Sequence, residues 1–287
     1  MLYAQRTNGV IVNADSAQVY RDLEIVSARP SPADVAAVEH RLFGTRDAAD
    51  PCSAAAWAAD ALATIDAVHA EGRLPILVGG TGLYLRTLID GIAPVPPIPS
   101  PIRAEVRGSS VTANHRRLAE HDPDAARRLH PADTTRVARA LEVVLASGRT
   151  LAAWQADRSG GIGERVDLRA LVLLPPRAWL QSRIDARFAD MLEGGGRAEV
   201  AALIDRQLDA ALPAMRAIGL AEIAALVRGD IDEAAAVAQA TLATRQYAKR
   251  QQTWFANQAP REWARFTEPL DAPDAPERAL ALLGSRD

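Results

Sequence analysis

The chain has 287 residues, of which 48% are hydrophobic and 24% charged, and its net charge of −3 excludes a globally basic coat for nucleic acid. Among the 33 basic residues only Lys249 is a lysine, and no Gly-x-x-x-x-Gly-Lys sequence surrounds it, so these residues contain no P-loop. The single cysteine, Cys52, excludes an internal disulfide, and the apolar runs fall far short of the ~20 residues of a membrane span, so we expect a cytoplasmic protein with no membrane segment.

Three short apolar runs predict buried parallel strands at 9–13, 74–78 and 168–174, because each is followed by turn residues and a helical pattern. The first seven residues look like the end of a helix. Residues 53–71 have helical spacing, with Ser53 as the N-cap and Gly72 just past the end. This order of elements predicts an α/β layered core.

A proline-rich run at 94–101 is too dense in proline for a helix or a strand and predicts a stiff connector into an inserted subdomain. We place this helical, arginine-rich subdomain at 94–166, and the α/β core at 1–93 and 167–287. After the third strand, helical patterns continue at 177–193, 197–209, 214–228 and 231–257, followed by a loose linker and a last short helix.

The first candidate site residue is Asp15, in the sequence Asn-Ala-Asp-Ser-Ala-Gln-Val-Tyr at 13–20, directly after the first predicted strand. Open α/β sheets bind their ligands at the carboxyl ends of the strands, so the Asp15 carboxylate could act as a general base or hold a metal. Alternatively, Asp15 N-caps the segment that follows. The spacing does not separate these interpretations.

A second candidate is the turn Val-Gly-Gly-Thr-Gly-Leu-Tyr-Leu at 78–85, again between a strand and a helix. Paired glycines let the backbone approach a ligand closely, and Thr81 offers a hydroxyl beside free N–H groups. A tight structural turn with Thr81 as the N-cap of the helix would have the same sequence.

Clusters of basic residues form the third candidate, because phosphate groups suit such faces. They comprise Arg103 with Arg107, Arg116 with Arg117, Arg127 with Arg128, Arg136 with Arg139, and the group Arg245, Lys249 and Arg250. The alternative for any one cluster is a solvated surface. Arg216 differs, because it lies in an apolar stretch at 212–219, where a buried arginine would need an anionic partner.

The order of these blocks resembles the tRNA dimethylallyltransferases, the bacterial tRNA isopentenyltransferase family. The resemblance covers nearly the whole chain. It rests on Asp-Ser-Ala-Gln-Val-Tyr at 15–20, Val-Gly-Gly-Thr-Gly-Leu-Tyr at 78–84, Arg-Val-Ala-Arg-Ala-Leu-Glu-Val at 136–143, Arg-Ala-Ile-Gly at 216–219 and Thr-Arg-Gln-Tyr-Ala-Lys-Arg-Gln at 244–251. No single block is decisive, but their shared order makes coincidence remote.

The resemblance implies a P-loop-kinase-like α/β fold, with a parallel sheet flanked by helices and an inserted helical subdomain that binds tRNA. It implies transfer of a dimethylallyl group from its diphosphate to N6 of the adenine at position 37, next to the tRNA anticodon, with Mg²⁺ as cofactor. The partners would be the anticodon stem-loop of tRNA and dimethylallyl diphosphate, and we expect a monomer.

Carried over residue by residue, the resemblance makes Asp15 the general base and Arg216 the residue that holds the diphosphate. The positions that match tRNA-binding residues are Asp15, Ser16, Ala17, Gln18, Thr81, Arg103, Thr135, Arg136, Val137, Ala138, Arg139, Gln246, Lys249 and Arg250. The family opens with a strand and a glycine-lysine loop, and we expect that unit upstream of Met1. The diphosphate cradle and the Ser/Thr ligand of Mg²⁺ would lie there, so we assign no metal ligand within the 287 residues.

Two other functions stay open on the sequence. One is a non-catalytic tRNA-binding remnant that keeps its arginine faces but cannot hold dimethylallyl diphosphate. The other is a relative of the nucleoside or nucleotide kinases, whose folds share the layout, although the arginine-rich insertion speaks against it.

Overall fold

The computed structural model describes residues 1–284, which divide into two compact units. The first contains Met1–Arg86 and the chain from Val166 onward, and the second is Thr87–Arg165. The second unit therefore begins at Thr87 rather than at 94. The reason is local: within the second unit, the backbone N–H groups of Ile162 and Gly163 donate to the carbonyls of Leu88 and Ile89, both at 3.0 Å.

The described residues form five strands, β1 Gly9–Asn13, β2 His40–Arg41, β3 Leu74–Val78, β4 Leu171–Leu173 and β5 Ala264–Phe266. They form fourteen α-helices: α1 Leu2–Thr7, α2 Pro32–Ala37, α3 Ala54–Ala70, α4 Gly82–Asp90, α5 Ser100–Gly108, α6 Val111–His121, α7 Pro123–Arg128, α8 Thr134–Ser147, α9 Leu151–Ala156, α10 Arg177–Met191, α11 Arg197–Asp205, α12 Leu220–Arg228, α13 Glu233–Gln258 and α14 Ala275–Ala281.

The strands of the first unit form two parallel sheets. One has the order β2-β1-β3, with Ile11 of β1 opposite both His40 and Ile76, and the other pairs β4 with β5. The predicted parallel sheet flanked by helices is confirmed, and β1 and β3 have the predicted bounds. The third strand is shorter than its apolar run because β5, its pairing partner, spans only three residues.

The core behind the sheet is built on β1, whose five residues are all buried. Trp57 of α3 is 1% exposed, and its indole Nε1 donates to the carbonyl of Asn13 at 2.9 Å. The ring of Trp57 stacks on Tyr84 with 4.6 Å between centroids. Ser53 caps α3 as predicted, accepting from the backbone of Ala56. These contacts fix the carboxyl end of β1.

The predicted helix at 214–228 is wrong over its first turn. Ala214–Arg216 form a single 3₁₀ turn, and Ala217 then leaves the helical region, with φ −58° and ψ 138°, before α12 begins. Between α10 and α11, a π-helical turn at Leu192–Gly196 joins two helices that the sequence pattern had separated by a short gap.

The second unit is helical, as the sequence indicated. Its core is formed by apolar side chains of α5 to α8, including Val106, Leu118, Val137 and Leu141, all fully buried. Glu142 of α8 is 1% exposed, and its carboxylate accepts from Nε of Arg107 at 3.0 Å. A buried carboxylate thus has a cationic partner at the surface of the unit.

Candidate active site

The loops that follow β1 and β3 bind each other at the carboxyl edge of the sheet. The N–H of Ala14 donates to the carbonyl of Val78 at 2.8 Å, and the N–H of Thr81 donates back to the carbonyl of Ala14 at 3.2 Å. A Cβ at Gly79 would overlap the carbonyl of Ala14. The glycine at this position is therefore required by the approach of one loop to the other, whatever ligand binds there.

Thr81 connects the two loops through its side chain. Its hydroxyl oxygen accepts from the N–H of Ser16 at 3.0 Å and lies 3.3 Å from the Ser16 hydroxyl, to which it donates. The Thr81 hydroxyl is thus directed to the loop that carries Asp15, while the Thr81 carbonyl accepts from the N–H of Leu85 at 3.3 Å at the start of α4, as the carbonyl of an N-cap residue does.

The Asp15 carboxylate is held through one of its two oxygens. Oδ1 accepts from the N–H of Ala17 at 2.8 Å and of Gln18 at 3.3 Å. The side chain of Asn13, which is fully buried, fixes the backbone of Asp15 by accepting from its N–H at 2.8 Å and donating to its carbonyl at 3.0 Å. Asp15 therefore does cap a turn, yet Oδ2 has no hydrogen bond within residues 1–284. One oxygen is anchored and the other can accept a proton.

Tyr247 of α13 lies beside Asp15 and Thr81. Burial, and after it the negative charge of Asp15, raises the pKa of the Tyr247 phenol, while Arg250 and a hydrogen bond with Thr81 oppose the shift. The guanidinium of Arg250 lies 5.8 Å from the centre of the Tyr247 ring, within reach of a cation–π contact. The phenol therefore stays protonated at neutral pH and offers a neutral hydrogen-bonding group near the carboxylate.

Helix α13 is joined to the ends of both sheets by two successive glutamines. Gln251 donates to the carbonyl of Gly80 at 3.0 Å, and Gln252 donates to the carbonyl of Pro175 at 3.1 Å. The chain turns after β3 and β4 are thus tied to the same turn of α13, which also sets the position of Tyr247 four residues earlier.

Arg187 of α10 adds a cation to this region. Its guanidinium donates to the carbonyl of Val26 at 3.4 Å. Desolvation by the surrounding protein lowers the pKa of Arg187, whereas the Asp15 carboxylate raises it. Asp15 therefore acts electrostatically on the Arg187 guanidinium, which makes no ion pair in the described part of the chain.

Arg216 is not buried, contrary to the expectation from its apolar surroundings. It is exposed at the end of the 3₁₀ turn, and within the described residues it forms no ion pair. The turn buries Ala214, which is 1% exposed, and directs the arginine outward. An exposed, unpaired guanidinium is available to an anionic ligand.

The candidate tRNA-binding residues of α13 have different surroundings. Gln246, Lys249 and Arg250 are all exposed. Lys249 lines a narrow groove between α10 and α13 together with Arg177 and Arg245. Arg245 is already paired with Asp185 at 2.6 Å. The family motif at 244–251 therefore contains one arginine in an ion pair beside basic side chains that have none within residues 1–284.

In the second unit, the positions matched to tRNA-binding residues separate into two groups. Arg103, Thr135, Arg136 and Arg139 are exposed. Val137 is fully buried and Ala138 is 9% exposed, and both belong to the core of this unit. Among these positions, the exposed face of α8 is the one that presents side chains to a ligand.

Comparison with known proteins identifies the family. The family model described as IPP transferase matches residues 18–258. A tRNA dimethylallyltransferase from Sphingopyxis alaskensis is 57% identical over 263 residues, which cover 92% of this chain and 86% of that protein. A tRNA dimethylallyltransferase from Zymomonas mobilis is 49% identical over 278 residues, covering 97% of this chain and 89% of that protein.

The chain belongs to the IPP transferase family. The full-length tRNA isopentenylpyrophosphate transferase of Bacillus halodurans is 30% identical with a TM-score of 0.69, covering 98% of this chain and 88% of that one. A eukaryotic dimethylallyltransferase, solved acting on tRNA, is 25% identical with a TM-score of 0.83, covering 97% of this chain and 73% of that one. The resemblance seen in the sequence motifs is confirmed.

Two features are absent from the described residues. Within residues 1–284, no group of three or more His, Cys, Asp or Glu side chains is arranged to hold a metal ion. No helix in the same residues is long and apolar enough to cross a membrane.

Sequence reasoning missed Tyr247 and Arg187. Tyr247 stands inside the block at 244–251, where only the polar and charged residues were singled out. Arg187 stands in an ordinary helical pattern at 177–193, and nothing in its spacing shows that α10 brings it near Asp15. For Tyr247, the aromatic residue among cations was an available signal.

Proposed function

We propose that this chain transfers a dimethylallyl group from dimethylallyl diphosphate to N6 of the adenine at position 37, next to the anticodon of tRNA. The observation that carries the proposal is the Asp15 carboxylate, with Oδ1 anchored by two backbone N–H groups and Oδ2 left without a partner within residues 1–284. Membership of the IPP transferase family supports the choice of reaction.

The reaction needs one base and one stabilised leaving group. A bond forms between N6 of the adenine and the allylic carbon, while the bond from that carbon to the diphosphate oxygen breaks. The N6 proton passes to Oδ2 of Asp15, and the electron pair of the broken bond leaves with the diphosphate. The buried Asn13 amide and the Thr81 hydroxyl hold the loop of Asp15 in place during this step.

The departing diphosphate carries negative charge that must be stabilised. We assign this role to Arg216, whose exposed guanidinium has no ion pair in the described part of the chain. Mg²⁺ typically binds through one or two carboxylates together with substrate phosphates and water. We propose that it enters with the diphosphate.

The tRNA would be held by backbone contacts and by a flipped base. The exposed side chains of Arg103, Thr135, Arg136 and Arg139 in the second unit suit phosphates of the anticodon arm. An adenine in a single-stranded loop leaves its stack at lower cost than one in a duplex, and it must do so to reach a carboxylate. We propose that the chain acts as a monomer in the cytoplasm.

Mass spectrometry of nuclease-digested tRNA tests the proposal. The purified chain is incubated with unmodified tRNA, dimethylallyl diphosphate and Mg²⁺, and we expect one C5H8 unit on the adenosine at position 37. A tRNA whose position 37 is guanosine is the matched control and should gain nothing. Phosphoryl transfer from ATP to a nucleoside, with no prenylated product, would instead support a kinase relative.

A further inference from the structure

The loop at 24–28 is anchored by a carboxylate from a distant part of the chain. Glu199 of α11 accepts three consecutive backbone N–H groups. Oε2 accepts from Glu24 and Ile25, both at 2.8 Å, and Oε1 accepts from Val26 at 2.9 Å. A carboxylate that accepts three N–H bonds holds a loop far more firmly than one neutral contact would.

The carbonyl groups of the same loop bind the side chain of Gln18. Nε2 of Gln18 donates to the carbonyl of Ser27 at 3.0 Å and to the carbonyl of Ala28 at 2.9 Å. Both N–H groups of the amide are therefore used, and Oε1 has no hydrogen bond within residues 1–284. The loop thus determines the orientation of the amide and leaves an acceptor as its free atom.

The π-helical turn before α11 places Glu199 against the loop. Gly195 in that turn has φ 104°, a conformation that strongly favours glycine, and a Cβ there would lie 3.2 Å from Cδ1 of Ile25. Arg187 contacts the loop from α10, through the carbonyl of Val26. The loop is therefore held from α10 and α11, on both sides of the kink.

We propose that Glu199 is a positioning residue that acts through the loop at 24–28 to hold the Gln18 amide with Oε1 presented to an N–H or O–H group of the bound RNA. This inference rests on the proposed function in one respect, namely that the ligand is tRNA. Its new element is the coupling between Glu199 and Gln18, which are 181 positions apart in sequence and share no hydrogen bond within residues 1–284.

A double-mutant cycle on RNA binding tests the coupling. Glu199→Gln keeps the size of the side chain but turns an NH₂ group toward backbone N–H donors, so the loop loses part of its anchor. We expect the Kd for a fluorescein-labelled anticodon stem-loop to rise about tenfold in Glu199→Gln and in Gln18→Ala, and the double variant to bind like Gln18→Ala alone. Glu262→Gln, at an exposed glutamate with no partner in the described residues and outside the π-helical turn, removes the same charge and should stay within about twofold.

Two further measurements separate positioning from general damage. The Kd for dimethylallyl diphosphate should not change in Glu199→Gln, since the amide of Gln18 is assigned to the RNA. If Glu199→Gln fails to fold in a thermal melt, Glu199→Asp replaces it, with a smaller rise in Kd that again disappears in the Gln18→Ala background. Effects that multiply in the double variant, or an equal loss of diphosphate binding, would overturn the proposal.

The two proposals fail in different ways. A chain that shows the coupling in RNA binding but transfers no prenyl group contradicts the proposed reaction and leaves the role of Glu199 in place. A chain that transfers the prenyl group with independent effects of Glu199 and Gln18 contradicts the positioning role alone. A chain that does not bind the stem-loop at all contradicts both.

Discussion

Asp15 has the two properties that a general base needs at this position. Its carboxylate orientation is set by N–H groups from its own loop, and one oxygen remains free of protein partners within residues 1–284. Thr81 and Asn13 brace that loop from β3 and β1, so the base is held by neighbouring elements of the sheet. A carboxylate on a braced loop loses little entropy when the substrate arrives.

The Asp15→Asn substitution tests this role. The amide side chain of the variant would keep an oxygen that accepts from Ala17 and Gln18, so the fold and RNA binding should stay within about threefold, while the single-turnover transfer rate should fall by about 10²- to 10⁴-fold because no group takes the N6 proton. Asp190→Asn, at an exposed aspartate with no partner in the described residues, is the control and should transfer at the normal rate. An Asp15→Asn variant with normal single-turnover transfer would show that Asp15 is not the base.

At the residue scale, the sequence predicts the position of the general base, but not the side chains that surround it in space. Asp15 follows a strand directly, and the local motif alone indicates a site there. Arg187, Tyr247 and Glu199 reach the same region from α10, α13 and α11, through contacts that depend on helix packing and on the π-helical turn. No spacing in the sequence encodes those contacts.

The glycine turn after β3 controls how two elements meet. A Cβ at Gly79 would overlap the backbone carbonyl of Ala14, and backbone atoms cannot move aside as a flexible side chain can. We expect Gly79→Ala to cost about 1–3 kcal/mol of unfolding free energy and to reduce transfer, because the loops carrying Asp15 and Thr81 separate. Urea unfolding measures the cost. Gly194→Ala, where a Cβ meets nothing within 4 Å, is the control, and an equal loss there would contradict the explanation.

An ionic cluster joins β2 to the start of β3. Hydrogen bonds from Arg73, and then from Arg41, hold the pKa of Glu39 below its ordinary value of 4.5. A carboxyl group whose pKa is lowered in the folded state stabilises the protein above pH 4.5. This stabilisation is lost as the pH falls through the pKa of the group in the folded protein.

The pH dependence of unfolding tests this cluster. The Glu39→Gln variant should be less stable than the wild type at pH 7 by up to about 1 kcal/mol, because the pairs are partly exposed. The difference should shrink as the pH falls below 4.5, the ordinary pKa of the glutamate side chain. Glu120→Gln, at an exposed and unpaired residue within the described chain, should show no such trend. A difference in stability that stays constant as the pH falls below 4.5 would mean that packing rather than charge is responsible.

At the element scale, strands and helices were predicted correctly where the apolar pattern in the sequence was long and regular. β1 and β3 are long enough for an apolar run to define both ends. β2 and β5 have two and three residues, too few for any periodicity, and exist because neighbouring backbones pair with them. At 214–228 the apolar spacing continues through a break in the backbone, so the pattern predicted helix where Ala217 is extended.

At the scale of the whole molecule, the chain has a net charge of −3 and divides into an α/β unit and a helical unit. The second unit carries exposed arginines without needing a basic protein overall. If Arg136 and Arg139 bind phosphates, each replacement by alanine should reduce the slope of log Kd for tRNA against log salt concentration by about 0.7 to 1. Arg278→Ala on α14, whose guanidinium is paired with Glu268, should leave that slope unchanged. Unaltered slopes for both α8 variants would exclude this face from RNA binding.

The most direct test of the account is a single-turnover transfer measurement with the chain in excess over tRNA. With radiolabelled dimethylallyl diphosphate and Mg²⁺, we expect the label to appear on tRNA up to one group per molecule, and to be nearly absent with Asp15→Asn at equal RNA occupancy. A wild-type chain that binds the tRNA and yields no labelled product would contradict the account and identify a tRNA-binding protein without catalysis.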